Sequence, residues 1–232
     1  MRRLFPDPSD EVDLRTAYGV DTPRHVRANF VASADGSVSL AGKSGTLGNA
    51  ADRELFQLLR AMSDVVLVGA GTARVENYGG AREVDGHAPP IAVVSRSLDF
   101  DPQARLFTDT LVPPIVLTCD SAPADRRRAL DGIADVIVAG TDDVDLRVAL
   151  DTLADRGLRH VECEGGPHLL GWLIAAGLLD ELCLTLAPVI AGGTAGRIVA
   201  GLDTQVVDRL RLLHVLEDDG YLFLRYSTAA RD

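Results

Sequence analysis

Residues 158–177 read LRHVECEGGPHLLGWLIAAG. The apolar run Val161–Cys163 has the length and character of a buried strand. Glu164-Gly165-Gly166-Pro167 interrupts it, and Leu169–Ala176 follows at helical length. Pro167 suits the first helical turn, where a missing N–H has no helical partner, and Gly177 stands where a helix commonly terminates. Strand, glycine turn and helix in this order are the repeating unit of an α/β fold. A glycine pair at the carboxyl end of a strand, ahead of a helix N-terminus, is where such folds bind phosphate groups, although a plain tight turn reads the same way.

The alternation continues outward. Val65–Val68 is a fully apolar strand running into Gly69-Ala70-Gly71-Thr72, with a helix expected near Thr72; Arg74 at the sixth position spoils a full GxGxxG. Ile91–Val94, Ile115–Leu117, Val136–Val138 and Leu182–Leu186 suit the interior of a sheet covered on both faces. Between them lie the helical stretches Ala124–Leu130 and Val144–Arg156. Asn49 is a good N-cap, and Ala51, Leu55, Leu58, Leu59 and Met62 recur at helical spacing after it. His25–Ala32 reads as a strand, Asp35-Gly36 as a turn and Ser37–Leu40 as a short return strand. Arg211–Val215 and Tyr221–Tyr226, split by Asp218-Asp219-Gly220, read as an antiparallel hairpin. Residues 1–24, with Pro6, Pro8 and Pro23, read as an irregular N-terminal arm, and residues 25–232 as a single α/β domain. The expected architecture is a mostly parallel central sheet flanked by helices, with an antiparallel C-terminal hairpin.

Composition narrows the function. The chain has 232 residues, 47% of them hydrophobic and 25% charged, the balance of a soluble domain. No apolar run approaches the roughly 20 residues of a membrane span, and Met1–Asp10 has no signal-peptide core. The net charge of −11 argues against a nucleic-acid partner. An anionic substrate then needs a local cluster of Arg, since Lys43 is the only lysine. Cys119, Cys163 and Cys183 sit singly in apolar runs and read as reduced thiols of a cytoplasmic protein. There is no CxxC spacing, and no metal site is expected. The five histidines are scattered, without a nucleophile at triad-like spacing.

A third feature concerns the cofactor. Strand Ile91–Val94 ends in Ser95-Arg96, about 20 residues after the first glycine turn. An NAD site places Asp or Glu there for the ribose hydroxyls. A hydroxyl and a guanidinium suit a 2′-phosphate, so NADPH is the expected cofactor.

Five motifs taken together resemble the reductase half of the bacterial riboflavin-biosynthesis deaminase/reductase. They are Ala32-Ser33-Ala34-Asp35-Gly36, Leu58-Leu59-Arg60-Ala61, Val68-Gly69-Ala70-Gly71-Thr72, Val161-Glu162-Cys163-Glu164-Gly165-Gly166 and Ala187-Pro188-Val189-Ile190-Ala191-Gly192-Gly193. They stand in the family's order over residues 25–226, and Val93-Val94-Ser95-Arg96-Ser97 is similar to the strand end that holds the 2′-phosphate in dihydrofolate reductases. The resemblance implies a dihydrofolate-reductase-like fold, NADPH, and a homodimer through an edge strand, with the apolar C-terminal hairpin as candidate. It implies reduction of 5-amino-6-(5-phosphoribosylamino)uracil, with hydride delivered to C1′ of the opened ribose.

By the same resemblance, Ala32, Thr46, Gly69, Gly71, Thr72, Glu76, Ser95, Arg96, Gly165, Gly166, Pro167, His168 and Leu169 line the cofactor. Ser33, Lys43, Ser44, Arg60 and Arg82 line the substrate, and Asp35 and Glu164 are the catalytic candidates. The family usually carries Asp where this chain has Glu76, Trp-Ile-Thr where it has Thr46-Leu47-Gly48, and Lys where it has Ser37.

Read for their chemistry alone, Asp35 can bond an amino-pyrimidine edge, relay a proton or form a turn, and Glu164 can meet substrate or cap a helix. Arg60 and Arg82 can hold a phosphate or be solvated. Lys43 and Ser44 lie in a glycine-rich loop, 41–48, that can close over a ligand. Two other functions stay open: a reductase of a pterin or related substrate such as dihydrofolate, and a non-catalytic NADP-binding domain.

Overall fold

The computed structural model describes residues 1–40, 42, 44–203 and 207–228; Lys43 lies outside the described residues. In chain order the elements are β1 (Arg2–Phe5), α1 (Leu14–Tyr18), β2 (His25–Ser33), α2 (Ala50–Ala61), β3 (Val65–Gly69), α3 (Ala70–Val75), β4 (Ile91–Val94), α4 (Arg105–Thr108), β5 (Ile115–Thr118), α5 (Ala124–Arg128), β6 (Asp135–Val138), α6 (Leu146–Asp155), β7 (His160–Cys163), α7 (Pro167–Ala175), β8 (Glu181–Ala187), β9 (Leu210–Asp218) and β10 (Tyr221–Thr228).

The strands form one ten-stranded sheet in the order β1-β9-β10-β8-β2-β7-β3-β4-β5-β6. From β8 to β6 every pairing is parallel, and β1, β9 and β10 add antiparallel pairings at the other end. This is the mostly parallel sheet with an antiparallel hairpin that the alternation predicts. The hairpin turns at Asp219 and Gly220, both at positive φ (49° and 79°), as a two-residue turn between twisted strands requires.

Alternate residues of each central strand face opposite layers. Val65, Leu67, Ala92, Val94, Ile115 and Leu117 pack against α6 and α7. Val66, Val68, Ile91, Val93 and Val116 pack with α3 and α4. Towards the antiparallel end, Cys183, Leu216 and Phe223 pack with Tyr18 of α1 and Ala51, Leu55 and Leu59 of α2. The amphipathic face read from Ala51 onward is the buried one, and Asn49 caps α2 by accepting from the Asp52 N–H.

Two local expectations give way. Residues 1–24 carry a strand and a helix: β1 pairs with β9, and α1 is held because Tyr18 is fully buried. The Arg27 and Arg225 guanidiniums lie against the Tyr18 ring and donate to the carbonyls of Tyr18, Ala17 and Gly19. Both arginines also pair with buried Glu181. The prolines hid this because the forces holding the segment come from strands far along the chain. Ser37–Leu40 forms no strand; Ser33 instead closes a turn, its hydroxyl accepting from the Ser37 N–H at 2.9 Å.

Candidate functional site

Two cavities open over the carboxyl ends of the central strands, where open α/β sheets bind ligands. The larger, about 550 Å³, lies between β2, α2, the α3 end and the turn after β7. One face of α2 lines it, because Asp52, Phe56 and Arg60 recur every four residues; Arg53 joins them. Glu164 lines it too, although its side chain is only 1% exposed. Arg60 Nε and Nη2 donate to the two Glu164 oxygens at 2.5 and 2.6 Å, and the Tyr78 hydroxyl donates at 2.9 Å. The Arg60 guanidinium stacks over Phe56, 4.5 Å from the ring centroid.

Burial works against the Arg60 charge, but Glu164 outweighs it and holds that pKa above its ordinary value. Burial pushes the Tyr78 phenol well up, and the Glu164 charge adds to it. Two residues behind, Glu162 is fully enclosed; burial drives its pKa well up, opposed by Arg27.

The smaller cavity, about 440 Å³, is lined by both glycine turns and the end of β4. The turns touch: the Gly69 N–H donates to the Gly165 carbonyl at 2.8 Å. A Cβ on Gly166 would stand 2.3 Å from Thr72 Oγ1, so the close approach of the two turns requires glycine there. Arg96 and Ser97 are exposed on this wall, while buried Ser95 accepts from the Leu98 N–H at 3.1 Å. The two cavities share one wall, made by Thr72, Gly166 and Pro167.

Gly69, Gly71, Thr72, Ser95, Arg96, Gly166, Pro167, His168 and Leu169, read from the sequence as cofactor residues, come together around the smaller cavity. Ser44, Arg60, Arg82 and Glu164 come together around the larger. Glu76, read with the cofactor, lines the larger cavity and accepts from the Ser44 N–H and hydroxyl at 3.0 and 2.9 Å. Ala32, Ser33, Asp35, Thr46 and Gly165 line neither cavity.

Asp35 is engaged elsewhere. It accepts from the Ser33 hydroxyl and from the N–H groups of Ala191 and Gly192, at 3.1 and 2.8 Å. These bonds, the Ser33 hydroxyl foremost, lower its pKa to about 2. Asp35 therefore ties the Pro188–Gly193 loop to the end of β2.

Sequence reading passed over Asn29, Asp52, Arg53, Tyr78 and Arg105 in the larger cavity and Asp143 and Trp172 in the smaller. Asp52 and Phe56 were legible as Arg60's neighbours at four-residue spacing. Tyr78 and Arg105 sit in irregular or very short elements with no periodic signal.

Two adjoining cavities over glycine turns, one walled by hydroxyls, backbone and guanidiniums and the other lined by a fixed carboxylate, give this α/β domain room for two ligands side by side. Comparison with known proteins places it further. The RibD C-terminal domain model matches residues 24–223. The 2,5-diamino-6-ribosylamino-4(3H)-pyrimidinone 5′-phosphate reductase of Methanothermobacter thermautotrophicus is 30% identical over 195 residues, covering 81% of this chain and 89% of the relative. Its namesake from Archaeoglobus fulgidus is 31% identical over 181 residues, 73% and 82% of the two chains. A pyrimidine reductase-like protein from Corynebacterium diphtheriae, of known structure, superposes with a TM-score of 0.83 at 30% identity, over 94% of this chain and 99% of that one. The chain belongs to the RibD C-terminal domain family.

Proposed function

We propose that this chain is an NADPH-dependent reductase of a ribosylaminopyrimidine 5′-phosphate in riboflavin biosynthesis. The observation that carries the reading is the pair of cavities meeting at Thr72, Gly166 and Pro167, which brings two ligands face to face without a covalent intermediate on the protein. The smaller cavity suits the nucleotide. Gly69, Gly71 and Gly166 let backbone approach closely, and Ser95, Arg96 and Ser97 offer the donors a 2′-phosphate needs. When bound, NADPH supplies the hydride.

The chain's own groups prepare the acceptor in the larger cavity. Glu164, fixed by Arg60 and Tyr78, is an oriented carboxylate one residue from the glycine turn. Its charge is already offset by Arg60, so its part is to hold the Arg60 guanidinium and the Tyr78 hydroxyl in place beside the ribose C1′ imine that accepts the hydride. Asp35 lines neither cavity and serves the loop. Two pyrimidine forms fit the reading: the uracil implied by the motifs and the 2-aminopyrimidinone named for the archaeal relatives. Asp52 favours the second. It lines the larger cavity on the same face of α2 as Phe56 and Arg60. A carboxylate accepts the adjacent ring N–H and amino N–H of the 2-amino form, whereas uracil presents a carbonyl in place of the amine.

The C-terminal hairpin does not offer the edge strand expected for a homodimer, because β1 covers β9 and β10 lies between β9 and β8; a dimer would have to use the face of the hairpin, where Leu222, Leu224 and Leu186 are partly exposed. Free, buried thiols suit a cytoplasmic setting. No helix of the described residues is long and apolar enough to cross a membrane.

The test is NADPH oxidation followed by its absorbance with both phosphorylated pyrimidines and dihydrofolate in parallel. Turnover of a phosphorylated pyrimidine, fastest for the 2-amino form, is expected. Turnover of dihydrofolate alone would move the protein to pterin reduction, and oxidation with none of the three would leave a nucleotide-binding domain.

A further inference from the structure

The strand that leads to Glu164 brings a second carboxyl group to the same face. Glu162 lies two residues earlier on β7. The Glu164 N–H extends the pairing of that strand by donating to the Leu67 carbonyl at 3.0 Å. Alternate residues of a strand share a face, so the two side chains leave the backbone on one side, about 7 Å apart along it.

The fold satisfies one of these carboxyl groups and isolates the other. Glu164 accepts from Arg60 Nε, Arg60 Nη2 and the Tyr78 hydroxyl. Glu162 is 2% exposed, and its Oε1 has no hydrogen-bond partner. Its neighbours in register are Arg27 on β2 and apolar Val66 on β3. Arg27 is engaged elsewhere: Nε donates to Glu181, and Nη2 donates to the Tyr18 carbonyl at 2.5 Å. Among the described residues, no ion pair includes Glu162. A carboxylate enclosed without a partner is costlier than the neutral acid. Burial accordingly pushes the Glu162 pKa well up; Arg27 and Arg60 oppose this, while Glu164 and Glu181 add to it. Two carboxyl groups so placed in a dry layer do not readily ionise together, and their surroundings decide which one keeps the proton.

We propose that Glu162 is held as a neutral carboxylic acid behind the larger cavity, and that its proton leaves Glu164 as the sole carboxylate aligning Arg60. Glu162 is thereby a positioning residue for the set formed by Arg60, Glu164 and Tyr78. This rests on the proposed reductase function only for the reaction that reads it. Ionised, Glu162 would add a second negative charge acting on both Arg60 and Arg27. Arg60 would then be drawn towards two carboxylates, and its alignment beside the acceptor would loosen.

The experiment has a spectroscopic arm and a kinetic arm. An infrared difference spectrum of the full chain at neutral pH, wild type minus Glu162→Gln, is expected to show the carbonyl stretch of a protonated carboxylic acid, a band that a carboxylate lacks. In the kinetic arm, NADPH oxidation with the phosphorylated pyrimidine is followed across pH. Wild-type kcat/KM is expected to fall on an alkaline limb, by about tenfold per pH unit once Glu162 ionises. Glu162→Gln cannot ionise, and the limb is expected to vanish from its profile. The neighbouring groups titrate late: burial pushes the Cys163 thiol up to about 12 and the Tyr78 and Cys183 groups well above their ordinary values. A merely structural role would scale the rate by one factor at every pH and keep the limb. Glu162→Leu, of similar volume and equally unable to ionise, replaces the Gln variant in both arms if that variant does not fold. Absence of the acid band overturns the neutral state, and an alkaline limb retained without Glu162 overturns the positioning role. The acid band with no pyrimidine reduced would sink the reductase reading and leave the neutral Glu162 standing.

Discussion

At the scale of single residues, the family-like arginines divide by what already holds them. Arg60 was legible as a candidate phosphate ligand, but its partner Glu164 lies 104 residues away and only the folded chain shows the pair. Arg60→Met leaves the Glu164 carboxylate buried with Tyr78 as its remaining hydrogen-bond donor. The cost is expected to be about 3 kcal/mol in chemical denaturation, near the low end for a buried pair because Arg60 keeps 16% exposure. A loss within experimental error would show that water reaches Glu164 freely. Arg96 stands exposed on the smaller cavity. Arg96→Ala is expected to weaken NADPH by about 10- to 150-fold, corresponding to roughly 1.5–3 kcal/mol, and to leave NADH nearly unchanged. Equal loss for both nucleotides would remove the 2′-phosphate role. Asp35 shows the limit of reading motifs. Its place beside a turn was visible, but the N–H groups it accepts come from residues 191 and 192.

At the scale of elements, the strands and long helices were legible because burial imposes a period on the sequence. Ile91–Val94 was read with its observed bounds, and the capped start of α2 was read correctly. β1, α1 and α4, of four or five residues, have neither a helical period nor the unbroken apolar run that marks β4. The two glycine turns were visible separately, and their mutual contact was not. That contact predicts a coupled pair of variants. Gly166→Ala is expected to destabilise the protein by about 1–3 kcal/mol through overpacking on Thr72, and adding Thr72→Ala is expected to recover most of it, since only Oγ1 is under 3 Å from the new Cβ. Thermal melts of the single and double variants read this directly. Full native stability in Gly166→Ala would mean that glycine is required there by ligand and not by packing.

At the scale of the whole molecule, the antiparallel end is organised by buried charge. Glu181 pairs with Arg27 and Arg225, and those arginines and bonds hold α1 to the sheet. His214, edge-on to Tyr18 at 4.8 Å between ring centroids, lies in the same layer. Burial first, and then Arg225, lower its pKa to about 4, with Arg3 and Arg27 adding and Glu181 opposing. A histidine whose folded pKa is depressed binds its proton more readily when unfolded. Stability is therefore expected to fall by about 2–3 kcal/mol as pH drops from about 6.5 to about 4. Glu181, whose pKa is depressed despite burial because His25, Arg27 and Arg225 face it, adds a further loss as pH falls below the ordinary glutamate range. Urea titrations across this range should separate the two: His214→Leu flattens the upper part of the profile and leaves the lower part. An unchanged profile in that variant would assign the acid sensitivity elsewhere. The layer was hidden from the sequence because its members come from β2, β8, β9, β10 and α1, five elements that meet only in the sheet.

The wall of Thr72, Gly166 and Pro167 has a thermodynamic consequence. Whichever ligand settles first against it completes a surface of the other's compartment. The two binding free energies are then coupled, and by linkage each ligand must alter the other's affinity by the same factor. With no nucleophile needed to store an intermediate, both ligands are present together at turnover. Double-reciprocal plots at several nucleotide concentrations should cross to the left of the ordinate and off the abscissa; crossing on the abscissa would show independent affinities, and parallel lines would show that the two ligands are not held together.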